Sequence, residues 1–445
     1  MTDTADFLSP EAIVQAVRAI EADSPLSVEV LCMAVMLAPE PLPLDFALTL
    51  DGASHNPALL NPAAAIFAVA ATLDPVLNSG FMEQDLATDT LSVPGHVRRA
   101  LRESMTPEQA RDWASRAMYA LNLVLPDVDQ EIWDRVDFLL PHVRACADLV
   151  RELGVNTAAA NRVLHQTGYA LHMQDRNEEA VPFVEAALNV DVAVKGEMHP
   201  EIAGDYEGLG MVCLAAGLLE KAAGALERSL QVYEAVFTEN NPAMAPVLNM
   251  LGVVRMRLGE FDAAARCLER CRVVLEAGAP DDPALATCLT NLAHAREALG
   301  QQAEARVLAE AALPLMEDLA GPESPVLLEL LYLLARLHLA NGDADRAEQA
   351  HDRAVRVATG AFGPDTVMTS RALCLRGLFL DTVGRRDEAL EGFRGGLAVL
   401  QGELSLGPDT PDEALDLCVD LLERVRDHDG LRELAHAALH QVVSR

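Results

Sequence analysis

Across 445 residues, 68 acidic side chains outnumber 34 basic ones, giving a formal net charge of −34. That balance argues against a nucleic-acid partner, because phosphate binding rests on Lys and Arg neutralising the backbone, and against anionic membrane surfaces. A hydrophobic share of 51% with only 4% aromatic residues points to an Ala/Leu/Val-rich helical core, in a chain long enough for two or three domains.

In chain order, Ser9-Pro10-Glu11 opens a helix to about Ala22, and Pro25 precedes a second, apolar helix through Met36. A short helix is predicted around Leu44 to Leu50 and another from Pro62 to Asn78. Gly80-Phe81-Met82-Glu83 and Thr90-Leu91-Ser92-Val93 then flank a polar turn, which reads as a hairpin. Thr106-Pro107-Glu108-Gln109 is a capping box for a helix carrying Trp113, and a further helix carries Trp133.

From residue 154 onward the chain repeats. A small residue recurs about every 42 positions, as Gly168, Gly210, Gly252, Ala293, Ala335 and Gly377, in step with Ala180, Ala222, Ala264, Ala305, Ala347 and Ala389. Between them runs a turn column: Asp175, Gly217, Gly259, Gly300, Gly342 and Gly384. Periodicity of this kind marks a solenoid whose units bury their apolar faces only by stacking on neighbours. Each unit reads as two helices, A and B. In the third, helix A spans about Ala243 to Leu258, and helix B about Phe261 to Glu276, with Arg272 interrupting the apolar spacing. A capping residue followed by proline opens several A helices: Asn241-Pro242, Asp282-Pro283, Ser324-Pro325 and, less typically, His199-Pro200. Thr410-Pro411-Asp412-Glu413 opens a last, capping pair whose second helix follows Gly430.

The small residue, turn glycine and alanine resemble the tetratricopeptide repeat (TPR). That family's usual period is about 34 residues; the longer period and the "LNMLG" and "TNLA" cores resemble the kinesin-light-chain subtype. The resemblance covers Thr157 to Glu403 in six repeats and implies an all-α fold, a right-handed TPR superhelix. Helices followed by a small hairpin suggest a winged helix ahead of it. Trp133, Leu139, Leu140, Pro141 and His142, with the helix of Val93, Val97, Leu101 and Arg102, resemble the C-terminal half of bacterial NB-ARC/STAND signalling ATPases. The expected division is a winged-helix-like domain over 1–105, a connecting helical pair over 106–153 and the superhelix over 154–445. No G-x-x-x-x-G-K-[ST] occurs, and Lys195 and Lys221 lie inside repeats, so the nucleotide chemistry of those ATPases is not carried over.

No catalytic motif emerges. Cys267 and Cys271 lie one helical turn apart without a second pair, and they read as packing. His436, His440 and Glu433 share a helix face, but Ala437 stands where the zinc-protease motif needs glutamate. No enzyme activity, cofactor or metal is therefore expected. The acidic start, Met1 to Asp6, and the lack of an apolar run near about 18 residues point to neither a signal peptide nor a membrane span. Eight cysteines without CxxC pairs fit a reducing cytoplasm.

The remaining candidate is the concave face, formed by helix A. The resemblance places Arg162, His165, Tyr169, Glu207, Asn249, Asn291, His294, Tyr332, Arg336 and Arg371 there. Asn can donate to and accept from an extended backbone, and Tyr and Arg are common anchors. A plain solvated surface would instead be met by Glu, Lys and Gln. Met250 and Leu333 stand where a chaperone-binding carboxylate clamp would want polar residues. The expected function is a cytoplasmic protein-interaction scaffold that takes a peptide or regulator in this groove, in bacterial signalling or defence. The alternative is a transcription regulator reading DNA through its winged helix. Its basic run, Arg98, Arg99 and Arg102, sits among Glu83, Asp85, Asp89 and Glu103.

Overall fold

The computed structural model describes residues 8–49, 71–125, 133–237, 240–278 and 282–403. The C-terminal capping box, the helix after Gly430, His436, His440 and the first part of the helix expected from Pro62 lie outside these residues. The described elements are almost entirely helical, and they fall into two compact units, Met1–Phe237 and Thr238–Arg445.

In the first unit, α1 (Pro10–Asp23) is capped by the Ser9 hydroxyl, which accepts from the Ala12 N–H, and α2 (Pro25–Met36) is buried along most of its length. The short strand β1 (Leu42–Pro43) and a 3₁₀ turn (Leu44–Thr49) follow, then α3 (71–78). The expected hairpin forms as β2 (Glu83–Asp85) and β3 (Thr90–Ser92), and β1 adds to β3 in an antiparallel sheet of order β1-β3-β2. Its third strand was not foreseen, since two residues are too short to display alternation.

Next come α4 (Gly95–Ser104), α5 (Pro107–Val124) and α6 (Trp133–Leu153). The capping box closes at both ends, Thr106 Oγ1 accepting from the Gln109 N–H at 3.2 Å and Gln109 Oε1 accepting from the Thr106 N–H at 2.9 Å. Leu139, Leu140 and His142 are core residues, and His142 Nε2 donates to the Pro41 carbonyl at 3.1 Å, tying α6 to the start of β1. The first two repeats are α7 (Ala158–Met173) with α8 (Asn177–Lys195), and α9 (Pro200–Ala215) with α10 (Leu219–Val236). Helix α5 packs on α7, and α6 packs on both α7 and α8, so the connecting pair continues the same stacking.

The second unit holds four further pairs. They are α11 (Ala245–Arg257) with α12 (Phe261–Gly278), α13 (Ala284–Ala298) with α14 (Gln302–Ala320), α15 (Leu328–Ala340) with α16 (Ala344–Phe362), and α17 (Val367–Thr382) with α18 (Arg386–Glu403). The third A helix starts two residues later than expected because Pro242–Met244 forms a 3₁₀ turn under the Asn241 cap. Arg272, the exception in the apolar pattern, turns outward to pair with Glu269 and Glu276.

The small column is the hinge of the packing. A Cβ placed on Gly252 would lie 2.5 Å from Leu268 Cγ, and one on Gly210 would lie 2.6 Å from Leu226 Cγ. The same holds for Gly168 against Val184 at 2.7 Å and Gly377 against Phe393 at 2.8 Å. Where the column is alanine, at Ala293 and Ala335, the residue sixteen positions on is Ala309 or His351 rather than leucine. All six turn residues, Asp175 included, adopt positive φ, from 60° to 83°, as a tight exit from helix A requires.

Candidate functional site

The inner face is built from the sides of A helices that do not enter the helix-pair interfaces. In the second unit the sequence brings its polar inner residues together in pairs, each joining one A helix to the next. Asn291 Nδ2 donates to Asn249 Oδ1 at 3.0 Å. Arg336 grips Glu297 with both arms, Nε to Oε1 at 3.1 Å and Nη2 to Oε2 at 2.9 Å. Arg371 does the same with Glu329. These bridges hold neighbouring repeats in register, so Arg336 and Arg371 already have carboxylate partners within the chain. His294 lies 3.9 Å from Glu297 through Nδ1, and burial pushes its pKa down, which keeps the ring neutral.

Tyr332 departs from the expectation of an exposed anchor. It is 2% exposed and belongs to a cluster with Leu328, Leu331 and Val357. The Arg371 guanidinium, reaching back to Glu329, lies 4.9 Å from the ring centroid and roofs it over. Burial raises the phenol to about 12, and its hydroxyl has no hydrogen-bond partner among the described residues.

The first unit is different. His165 is exposed and Tyr169 is 45% exposed, while Glu207 is half-buried, accepts from the Tyr233 hydroxyl at 3.4 Å and has its pKa raised by burial. Arg162 Nη1 donates to the backbone and side-chain oxygens of Asn122 at 3.0 and 2.8 Å. Position-based reasoning missed α5, whose pattern of exposed residues repeats that of α7 fifty positions earlier. Tyr119 matches Tyr169, and Leu123 matches Met173. Both helices are also capped alike, by Thr106 and Thr157, each of whose hydroxyls accepts from the third helical N–H, although these caps lie one position out of step with the exposed residues. Together α5, α7 and α9 expose Tyr119 (50%), Leu123 (53%), Met173 (48%) and Met211 (39%) beside Tyr169. At the start of this face, α2, α5 and α7 enclose a cavity of about 580 Å³, lined by Glu29, Met33, Arg116, Tyr119 and Arg162 among others. Arg116 pairs there with Glu29 at 2.8 Å.

Of the basic run near the hairpin, Arg99 and Arg102 are exposed, but Arg98 is anchored. Arg98 Nη1 donates to the carbonyls of Ala34 and Val35 at 2.9 and 2.8 Å and also to that of Leu37. It thereby satisfies the C-terminal end of α2, where unpaired carbonyls gather negative charge. Burial lowers its pKa to about 10. Of the cysteine pair, Cys271 is buried and its thiol donates to the Ala245 carbonyl at 3.3 Å, a packing role. Among the described residues no helix is long and apolar enough to cross a membrane.

No curated protein matches the sequence. Among solved structures, the chain is similar to a Podosopora anserina kinesin light chain with nearly identical TPR-like repeats, at 20% identity over 48% of this chain and 96% of that one, with a TM-score of 0.40. BtubC (BKLC) from P. vanneervenii is 19% identical over 54% and 95% of the two chains, with a TM-score of 0.44. Aspartyl phosphate phosphatase F from Bacillus subtilis is 16% identical over 76% and 89%, with a TM-score of 0.46. The family model for the tetratricopeptide repeat matches residues 159–235, 243–318 and 326–401, in register with the columns above and over just more than half of the sequence. The chain belongs to the tetratricopeptide repeat family.

Proposed function

We propose that this protein is a non-enzymatic interaction scaffold that holds a peptide segment or a regulator against the inner faces of its A helices. One observation carries the reading. Tyr119, Tyr169 and Met211 stand exposed at inner positions that repeat packing does not use, although exposing large apolar side chains is unfavourable unless something covers them. In the second unit, Asn249, Asn291 and His294 add amide and imidazole groups suited to a peptide backbone.

The order of elements supports a wider assignment. Helix α2, strand β1, the 3₁₀ turn, α3 and the β2–β3 hairpin follow one another as in a winged helix. On this reading 1–105 is that domain, 106–153 the connecting pair and 154–445 the repeats, as in bacterial signalling and defence proteins of the NB-ARC/STAND type. The anchoring of Arg98 on α2 and the overall charge favour a spacer role over DNA reading, and a cytoplasmic protein partner over nucleic acid or membrane.

Affinity capture from cells expressing the protein, followed by variants, tests the reading. Tyr169→Ala and Asn291→Ala should release the captured partner, and Val194→Ala, on an exposed part of α8, should not. Retention by both inner-face variants with loss on Val194→Ala would refute it.

A further inference from the structure

Whatever the inner face holds, we infer that Asp205 of α9 carries a proton shared with Asp191 of α8, and that losing it loosens the junction between the first two repeats. The start of the stack is thereby a pH-sensitive element.

Both carboxyls are exceptions within the repeat. Asp205 stands five positions before the small column, where the other repeats carry Val163, Val247, Cys288, Leu330 and Ala372, every one of them buried. Asp191 stands eleven positions after the alanine column, in line with Tyr233, Leu275, Met316 and Ala358. In the fifth and sixth repeats the equivalent residues, Ala358 and Ala372, belong to one apolar cluster. Repeats therefore stack with apolar groups at these places, and neither carboxyl is required to fill space.

The local geometry says where the proton sits. The Asp191 side chain is 14% exposed, and each of its oxygens has a donor. Lys195 Nζ lies 3.0 Å from Oδ1, and Asn161 Nδ2 of α7 donates to Oδ2 at 2.8 Å. Asp205 is half-buried, its Oδ2 has no partner among the described residues, and Asp191 is its hydrogen-bonding neighbour. Two ionised carboxylates can only accept, so this contact needs a proton, and the oxygen without a donor belongs to Asp205. Its O–H donates to Asp191. Burial first, and the Asp191 charge second, push the Asp205 pKa up to about 6, against the opposing pull of Lys195. Lys195 is divided, since its Nζ also lies 2.7 Å from Glu201. From α10 the Tyr233 phenol, itself raised by burial, adds no charge; it donates to Glu207. His199, the cap of α9, accepts from the Glu201 N–H at 3.3 Å. Because the folded pKa of Asp205 lies above the usual carboxylate value, its contribution to folding is intact below about pH 4 and is lost as pH rises through about 6. Above that, two like charges meet half out of water.

Hydrogen exchange of the α8 and α9 amides in the full chain, parent against Asp205→Asn, is the test. Asparagine keeps the shape and an N–H donor toward Asp191 but cannot ionise. At about pH 4.5 the two proteins should be equally protected, and by about pH 8 the variant should be protected about tenfold or more better. Glu201, Glu207 and His199 are present in both, so their own responses cancel in the ratio. Asp205→Val, which takes the residue of the first and third repeats, should likewise outlast the parent at about pH 8 and serves if the asparagine variant fails to fold. A ratio that stays flat with pH for both variants would overturn the inference, as would variants less protected than the parent at about pH 8. The α13 and α14 amides should show no difference between parent and variant; one as large as in α8 and α9 would mark a global effect and overturn it as well.

Discussion

Gly252 and Leu268 offer the sharpest test of how the repeats lock together. In the parent, a methyl group on residue 252 would sit 2.5 Å from Leu268 Cγ and 2.7 Å from its Cδ2, well inside contact distance. Leu268 is fully buried, so it has nowhere to retreat. Gly252→Ala gains about 1 kcal/mol of helix propensity but overpacks the helix-pair contact by about 1–3 kcal/mol. The net result is roughly neutral to destabilising by about 2 kcal/mol. Leu268→Ala alone leaves a cavity and costs about 2–5 kcal/mol. In that background the clash is gone, the new methyl fills part of the void, and Gly252→Ala should stabilise by about 1 kcal/mol or more. The chain already contains this combination, Ala293 with Ala309, one repeat later. Denaturant unfolding of the four proteins, followed by circular dichroism, gives the coupling, expected at about 1–3 kcal/mol. Stacked repeats share nearest-neighbour terms, so the comparison holds only where all four unfold with the same slope. If Gly252→Ala has the same effect with and without Leu268, within about 0.5 kcal/mol, the interlock is wrong.

Further expectations concern charged and buried polar groups. His351 packs 5.2 Å from the Phe379 ring; burial, followed by the nearby Arg376, lowers its pKa to about 4, against the opposing pull of Asp352. The fold therefore prefers the neutral ring. The stability this gives is intact above about pH 6.5 and is lost as pH falls toward about 4, by up to about 3 kcal/mol. His351→Leu should flatten part of that acid limb in melts across this range, and an unchanged profile would refute the assignment. Arg98→Gln should lower stability by on the order of 2 kcal/mol, since α2 loses its buried carbonyl donor; an unchanged melting temperature would mean the carbonyls find other partners. Arg336→Ala should cost under about 1 kcal/mol and less in high salt, because the side chain is half-exposed; a loss above about 2 kcal/mol would show a larger structural role. Tyr332→Ala should cost about 3 kcal/mol or more, while Tyr332→Phe, which removes a hydroxyl without a described partner, should be neutral or stabilising. Equal losses for the two would show that the hydroxyl, and not the ring, is what the fold uses.

The repeat frame could be read from the chain because its determinants are local and periodic. A residue that must approach the facing helix this closely can be only glycine or alanine, glycine where the facing side chain is leucine, and an exit at positive φ selects glycine or, at Asp175, a short polar side chain. Both constraints recur with the stacking distance, so they appear as columns. The pair α5–α6 escaped the same reading because it lies out of phase with that period and because Met118, fully buried, stands at the place matching Gly168. Strand β1 escaped because its partner, β3, lies nearly fifty residues away and only pairing reveals it.

The inner face was harder, and the reason is reach. Helical position says which way a side chain leaves its own helix, and by that rule Tyr332 points inward and Arg336 and Arg371 stand free. It does not say how far a guanidinium on the next repeat will extend. Arg371 spans 42 positions of sequence to take Glu329, and in doing so it covers Tyr332; Arg336 takes Glu297 across 39. Each pairing spends on repeat register an arginine that position alone would offer to a partner. Tyr119, Tyr169 and Met211 have no such neighbour covering them and remain 39–50% exposed. On the scaffold reading, what a partner meets is set less by which residues face inward than by which of them the following repeat leaves uncovered, and in the first unit those include Tyr119, Tyr169 and Met211.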